Sequence, residues 1–204
     1  HLSIRRQRQM CIRDRDNVLI VKKELAEWKF INKEHLSLVE KIENQESTLG
    51  EITDNKIFLG IKTGLNKAFI ISNDIKEQLC KEDPNSSKII SPYLNPTDFD
   101  IINPNWKKRW MILSHNGNKE KKVNPIDVPK DFPAIYNFLK TFLPDIEKRG
   151  DKGNHWTNLR DCAYLDAFFE DKISFIYTAK NHYFYYDDKG FIVNNSCFFI
   201  STTN

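Results

Sequence analysis

No stretch of this 204-residue chain approaches the roughly 20 consecutive apolar residues of a membrane-spanning helix. The N-terminus also lacks the apolar core of a secretory signal. Four cysteines (Cys11, Cys80, Cys162, Cys197) fall at irregular intervals, which fits neither a metal site nor a disulfide framework, and a reducing cytoplasmic setting is expected. The seven glycines form no Gly-rich strand-to-helix turn for a dinucleotide or S-adenosylmethionine, and no Gly-Lys-Ser/Thr phosphate loop is present. Five histidines are scattered, without His-Glu-x-x-His or paired ligand spacing. No catalytic residue and no metal ligand is therefore expected, and no cofactor within this chain.

What is present is core material. Hydrophobic residues make up 40% and aromatics 12%, with 14 Phe, which suffices for one domain or one domain plus fragments. The net charge of +3 suggests a polyanion partner until its source is traced. Residues 1–15 hold five arginines (Arg5, Arg6, Arg8, Arg13, Arg15) and one Asp14; without them 26 basic residues face 27 acidic, a net of −1. That opening has no start Met, no helical or strand period, and the look of translated sequencing-adapter DNA. It is set aside as a non-native scar; the alternative is a basic arm for a DNA groove. Any argument for nucleic acid must then rest on local patches.

The periodicity predicts a mixed α+β fold: a largely antiparallel sheet with two or three packed amphipathic helices. Asn32 is placed to cap a helix over 33–44, ended by Thr48-Leu49-Gly50. Residues 56–72 read as two strands around a Thr63-Gly64-Leu65-Asn66 turn, followed by a short helix to Cys80 capped by Asn73 or Asp74. Four prolines between 84 and 104 predict loops, residues 107–114 a strand, and residues 114–124 a polar loop. Pro133 opens an amphipathic helix burying Phe132, Ile135, Phe138, Leu139 and Phe142. Residues 158–170 read as a second such helix, and the tail as four short strands.

Three clusters could carry function. Lys62 and Lys67 flank Gly64, with Thr63 and Asn66 at the turn, so backbone N–H groups and short polar side chains could approach a phosphate or base edge. The alternative is a plain hairpin with solvated lysines. Arg149 and Lys152 could neutralise phosphates while Trp156 stacks on a base and Arg160 supports either role; alternatively Trp156 is a core anchor. Lys180, with Asn181, His182 and Tyr183, forms a polar turn of little specificity, and the aromatic tail strands read as sheet core.

In order, these segments resemble the TaqI-like C-terminal specificity domain of adenine-specific DNA methyltransferases and fused type II restriction-modification enzymes. The family's Gly-x-x-Thr-Gly-x-Asn-x-Ala-Phe signature is met by Gly60, Thr63, Gly64, Asn66, Ala68 and Phe69. Its Ile-x-Pro-x-Leu stretch and aromatic strand are matched by IISPYLNPTDFDI and WKKRWMIL, and its Pro-x-Ile helical segment by FPAIYNFLKTFLPDIEKRG. Trp156, Leu159 and Arg160 match Trp-x-x-Leu-Arg, KISFIY the next strand, and NNSCFFIST the last. One departure stands out: the family's Gly-Arg-Asp-Ile is Asn95-Pro96-Thr97-Asp98-Phe99 here, so a DNA-contacting arginine is missing.

The resemblance implies a target-recognition domain over residues 50–204, truncated at its C-terminus, with residues 16–49 connecting it to a missing N-terminal methyltransferase domain. It implies double-stranded DNA as partner, the target adenine flipped out of the duplex, and S-adenosylmethionine held by the parent protein, which could also carry a nuclease. It carries over Lys62, Thr63 and Asn66 to a loop near DNA. Arg149, Trp156 and Arg160 either contact DNA or frame the loops that do. Asn103-Pro104-Asn105-Trp106 is faintly similar to the adenine-holding Asn-Pro-Pro-Tyr motif, lacks its second proline, and is read as a turn. The competing readings are a protein-interaction module and a small-molecule-binding domain.

Overall fold

The computed structural model describes residues 19–21, 30–32, 36–44, 47–101, 103–181 and 183–201. The basic opening, His182 and the last three residues lie outside them. The chain divides into two compact units, His1–Ile52 and Thr53–Asn204.

In the first unit, β1 (Leu19–Val21) and β2 (Phe30–Asn32) form an antiparallel pair with Ile20 opposite Ile31. Helices α1 (Leu36–Glu43) and α2 (Leu49–Ile52) follow. Asn32 closes a strand, and residues 33–35, where the expected helix would begin, lie outside the described residues. Thr48 starts a helical turn where a stop was expected: its N–H donates to Glu51 Oε2 at 2.6 Å and its hydroxyl accepts from Glu51 N at 3.3 Å, a reciprocal cap.

The second unit holds two four-stranded sheets. Strand β3 (Ile57–Leu59) belongs to the first, while α3 (Asn66–Phe69) leads directly into β4 (Ile70–Ile71) of the second. Helix α4 (Asn73–Glu82) is capped by Ser72, whose hydroxyl accepts from Ile75 N, one residue before the expected caps. Strands β5 (Ile90–Leu94) and β6 (Arg109–Ile112) come next, then α5 (Val128–Asp131), α6 (Pro133–Lys140) and α7 (Asp145–Lys148). The tail supplies β7 (Lys172–Ile176), β8 (Phe184–Asp187), β9 (Ile192–Val193) and β10 (Cys197–Ser201).

The first sheet runs β3-β10-β7-β8 and is antiparallel throughout; the second runs β4-β6-β5-β9, with β5 and β9 parallel. The expected mixed, largely antiparallel α+β architecture is the one observed. Two local readings are overturned. Residues 56–72 are not a hairpin, because β3 and β4 lie in different sheets and Asn66 begins a helical turn. Residues 158–170 are not a helix beyond the 3-10 turn Leu165–Phe169. Their backbone is engaged elsewhere: Leu159 N–H donates to Ser114 O at 2.8 Å, and Ala163 O accepts from the Asn118 side chain. Of the predicted stripe, Phe132, Ile135 and Leu139 are buried, whereas Phe138 and Phe142 are half-buried and pack against the core.

The chain passes between sheets at Gly60. A Cβ there would stand 2.0 Å from Asn194 O, so only glycine permits this approach. Gly60 N–H then donates to Cys197 O and Ile61 N–H to Val193 O, both at 2.9 Å.

Inside the first sheet, Lys172 and Asp187 face each other in register and are fully buried, their charges 2.6 Å apart. Lys172 also donates to Phe168 O, while Asp187 accepts from Lys189 N and Phe191 N. Burial pulls the Lys172 pKa down and Asp187 partly restores it. Breaking a buried pair leaves an uncompensated charge, so Asp187→Ala is expected to lose about 3–5 kcal/mol in urea unfolding followed by tryptophan fluorescence. The neighbouring exposed Tyr186→Phe is expected to stay within about 1 kcal/mol.

Candidate nucleic-acid interface

The site is organised by Arg149, which is buried at 7% exposure. Its Nη1 donates to Thr63 O at 2.9 Å; its Nη2 donates to Trp156 O at 3.1 Å and to Asn158 O at 2.5 Å. The guanidinium also lies 4.2 Å over the Phe69 ring. Burial lowers its pKa to about 10, so it stays cationic at neutral pH. Of the two roles expected for Arg149, contacting a phosphate or framing the loops, this geometry commits its side chain to framing.

What it frames is the 60–67 loop. Thr63 is buried; its hydroxyl donates to Asn66 Oδ1 at 2.6 Å and accepts from Leu65 N at 3.2 Å. Gly64 takes a positive φ of 70° beside Asp151, a conformation that favours glycine. Lys62 and Arg160, 98 positions apart in sequence, converge on Asp151 at 2.9 and 3.4 Å. Both cations are more than half exposed. The Lys62 ammonium, backed by Arg160, holds the Asp151 carboxyl below its usual range. Lys67 pairs with Asp145 at 2.8 Å, and Lys152 Nζ donates to Glu147 O.

Trp156 is half-buried, its ring 5.6 Å from Tyr136 and 5.3 Å from His155, and it packs against the core. That is the anchor arrangement left open above. Lys180 is exposed in the turn between β7 and β8, on an element separate from the cluster.

A neighbour went unnoticed in the sequence. The 115–124 loop is laced to the 154–163 segment: Asn116 Oδ1 accepts from Asn154 N at 2.8 Å, and its Nδ2 donates to Asp161 at 2.6 Å. Asn158 Nδ2 donates to both His115 O and Ile126 O. Between the loops runs a groove of about 490 Å³ walled by Asn116, Asn118, Asn124 and Asn154 with Lys119 and Lys122, and by the acidic Glu120 and Asp161. Three asparagines and three lysines within 116–124 are the signal the sequence carries. Among the described residues no group of His, Cys, Asp or Glu could hold a metal ion, and no helix is long and apolar enough to cross a membrane.

The sequence matches no protein-family model, and no curated protein is significantly similar. Among solved structures, the fold is similar to part of the type IIL restriction-modification enzyme MmeI, determined in complex with DNA. The TM-score is 0.52 and the identity 16%, over 73% of this chain; that stretch spans 19% of the enzyme's chain. The shared feature is therefore a fold found within a restriction-modification enzyme.

Replacing Arg149 by Lys keeps the charge and loses the fork that serves three carbonyls. Arg149→Lys is expected to lose about 2–4 kcal/mol in chemical denaturation, from carbonyls left without donors. Arg160→Ala, exposed and singly paired, is expected within about 0.5 kcal/mol of the parent.

Proposed function

We propose that this chain is the DNA target-recognition module of a site-specific adenine DNA methyltransferase from a restriction-modification system. In this reading it is non-catalytic by itself, and S-adenosylmethionine chemistry belongs to an N-terminal domain of the parent protein. The observation that carries the reading is the convergence of Lys62 and Arg160 on one carboxylate beside an Asn- and Lys-lined groove. Its support is the likeness to part of a DNA-bound restriction-modification enzyme, together with the ordered motifs of the TaqI-like family. Phosphates would exchange for Asp151 on the two cations, with Lys67, Lys119, Lys122 and Lys152 extending the positive edge. Asparagine amides in the groove offer the paired donor and acceptor that a base edge requires.

The test is fluorescence anisotropy of the chain on duplex DNA. Each phosphate contact contributes about 0.9 to the slope of log K against log salt, so Lys62→Ala with Arg160→Ala should flatten that slope by roughly two contacts. Asp151→Asn removes the internal competitor and is expected to tighten binding at low salt. Binding unaffected by salt, or by any of these changes, would sink the proposal. Joining the chain to its upstream methyltransferase domain should restore adenine methylation of duplex DNA, and methylation by the isolated chain would contradict the non-catalytic reading.

A second reading has its own observation. Leu59, Phe198, Phe175 and Phe184 form one cross-strand row over the whole first sheet, and Tyr177, Phe184 and Tyr186 are each more than half exposed. Glu170, Asp171 and Asp188 lie at the β7–β8 edge of this sheet, which disfavours a polyanion and favours a protein surface. Tyr177→Ser with Phe184→Ser should leave DNA affinity within about twofold, as expected for surface positions outside the contact. A loss equal to that of the Lys62/Arg160 pair would assign the sheet face to DNA.

A further inference from the structure

Next to the paired cations lies a second cavity that the reading above does not use. It measures about 200 Å³ and is lined by Ile61, Leu113, Leu159 and Leu165, with Lys62 and Arg160 among its residues. Ile61, Leu113 and Leu159 belong to the core, so the floor is fixed by packing. The volume equals about seven water molecules at roughly 30 Å³ each. It falls below the roughly 300–1,000 Å³ of pockets for drug-sized ligands. That is room for one ring system.

Besides the two cations, Asp161, Tyr164, His115 and Asn195 contribute polar groups to the lining, and His115 and Asn195 can address a base edge. The Asn195 side chain has no partner among the described residues, and its amide offers both a donor and an acceptor. His115 Nδ1 accepts from Gly117 N at 3.1 Å, which puts the ring proton of the neutral form on Nε2, a donor. Burial lowers the His115 pKa, which favours that neutral form. An apolar slot with an unpaired amide and two flanking cations matches a flat heterocycle bearing hydrogen-bonding edges, attached to a phosphate.

We infer that this cavity holds a single nucleobase, with the adjoining phosphate on Lys62 and Arg160. The source is either an extrahelical base of bound DNA or a free mononucleotide; the recognition chemistry is the same for both. The inference deepens the DNA reading and rests on it for the first source only. Base entry also accounts for two cations beside an apolar opening, which phosphate contact alone does not require.

Cys162 lines this cavity and also the neighbouring groove, so the duplex without an unpaired nucleotide serves to measure shielding from the groove side. The experiment follows alkylation of Cys162 in the full chain by N-ethylmaleimide, with peptide mass spectrometry separating it from the other cysteines. The ligands are the four deoxynucleoside monophosphates, inorganic phosphate, indole, and duplexes with and without one unpaired nucleotide. A mononucleotide at about ten times its Kd should slow the reaction about tenfold. Protection by mononucleotides identifies the free source, and protection only by the duplex with an unpaired nucleotide identifies DNA; both support the inference. Asn195→Leu, on the wall of this cavity and not of the groove, should abolish protection while duplex anisotropy persists. Equal protection by inorganic phosphate or by indole overturns it, as does no protection by any nucleotide. Anisotropy separates the two failures: duplex binding without Cys162 protection defeats this inference alone, and mononucleotide protection without duplex binding defeats only the DNA reading.

Discussion

A guanidinium removed from water must find acceptors for its donors, and Arg149 finds them in backbone carbonyls from two separate loops. Side-chain acceptors can swing away; carbonyls of Thr63, Trp156 and Asn158 cannot move without moving the chain. One charged residue therefore fixes the separation between the 60–67 loop and the 149–160 loop. The placement of Lys62, Asp151 and Arg160 follows from that separation. So does the wall of the small cavity, because Leu159 and Arg160 continue directly from the clamped Asn158.

The charge distribution is local. Outside its first 15 residues the chain is close to neutral, so no overall field draws a polyanion to it. The two loop regions instead concentrate cations where core residues hold them. Exposed ion pairs of this kind add little to stability, so Lys62, Lys67 and Arg160 are explained poorly as supports of the fold. Arg149, by contrast, is explained well as a support and poorly as a surface contact. The two arginines stand 11 positions apart and differ in what their side chains can reach.

Much of the fold was legible because hydrophobic periods are. Residues 107–114, the four tail strands and the α6 stripe each carried a pattern that tertiary packing kept. The failures share a cause. Residues 158–170 have helical spacing, yet Ser114, His115 and Asn118 supply hydrogen bonds that compete with a helix, and those partners lie some 40 positions away. Residues 56–72 look like a hairpin, since nothing local reveals that their two strands enter different sheets. At the site, Lys62 and Arg160 were identified one by one, but their shared carboxylate depends on long-range folding. The 115–124 loop was overlooked because it lacks any period, and a groove wall needs none.

The short link between β9 and β10 bears on how the domain comes apart. Val193 ends a strand of the second sheet and Cys197 begins one at the centre of the first. Three residues cannot stretch enough to let one sheet open while the other stays closed, and Gly60 threads the same junction from the opposite side. Native-state hydrogen exchange in such an arrangement has one slowest class of amides drawn from both sheets, not a separate class for each. The two sheets are therefore expected to open together.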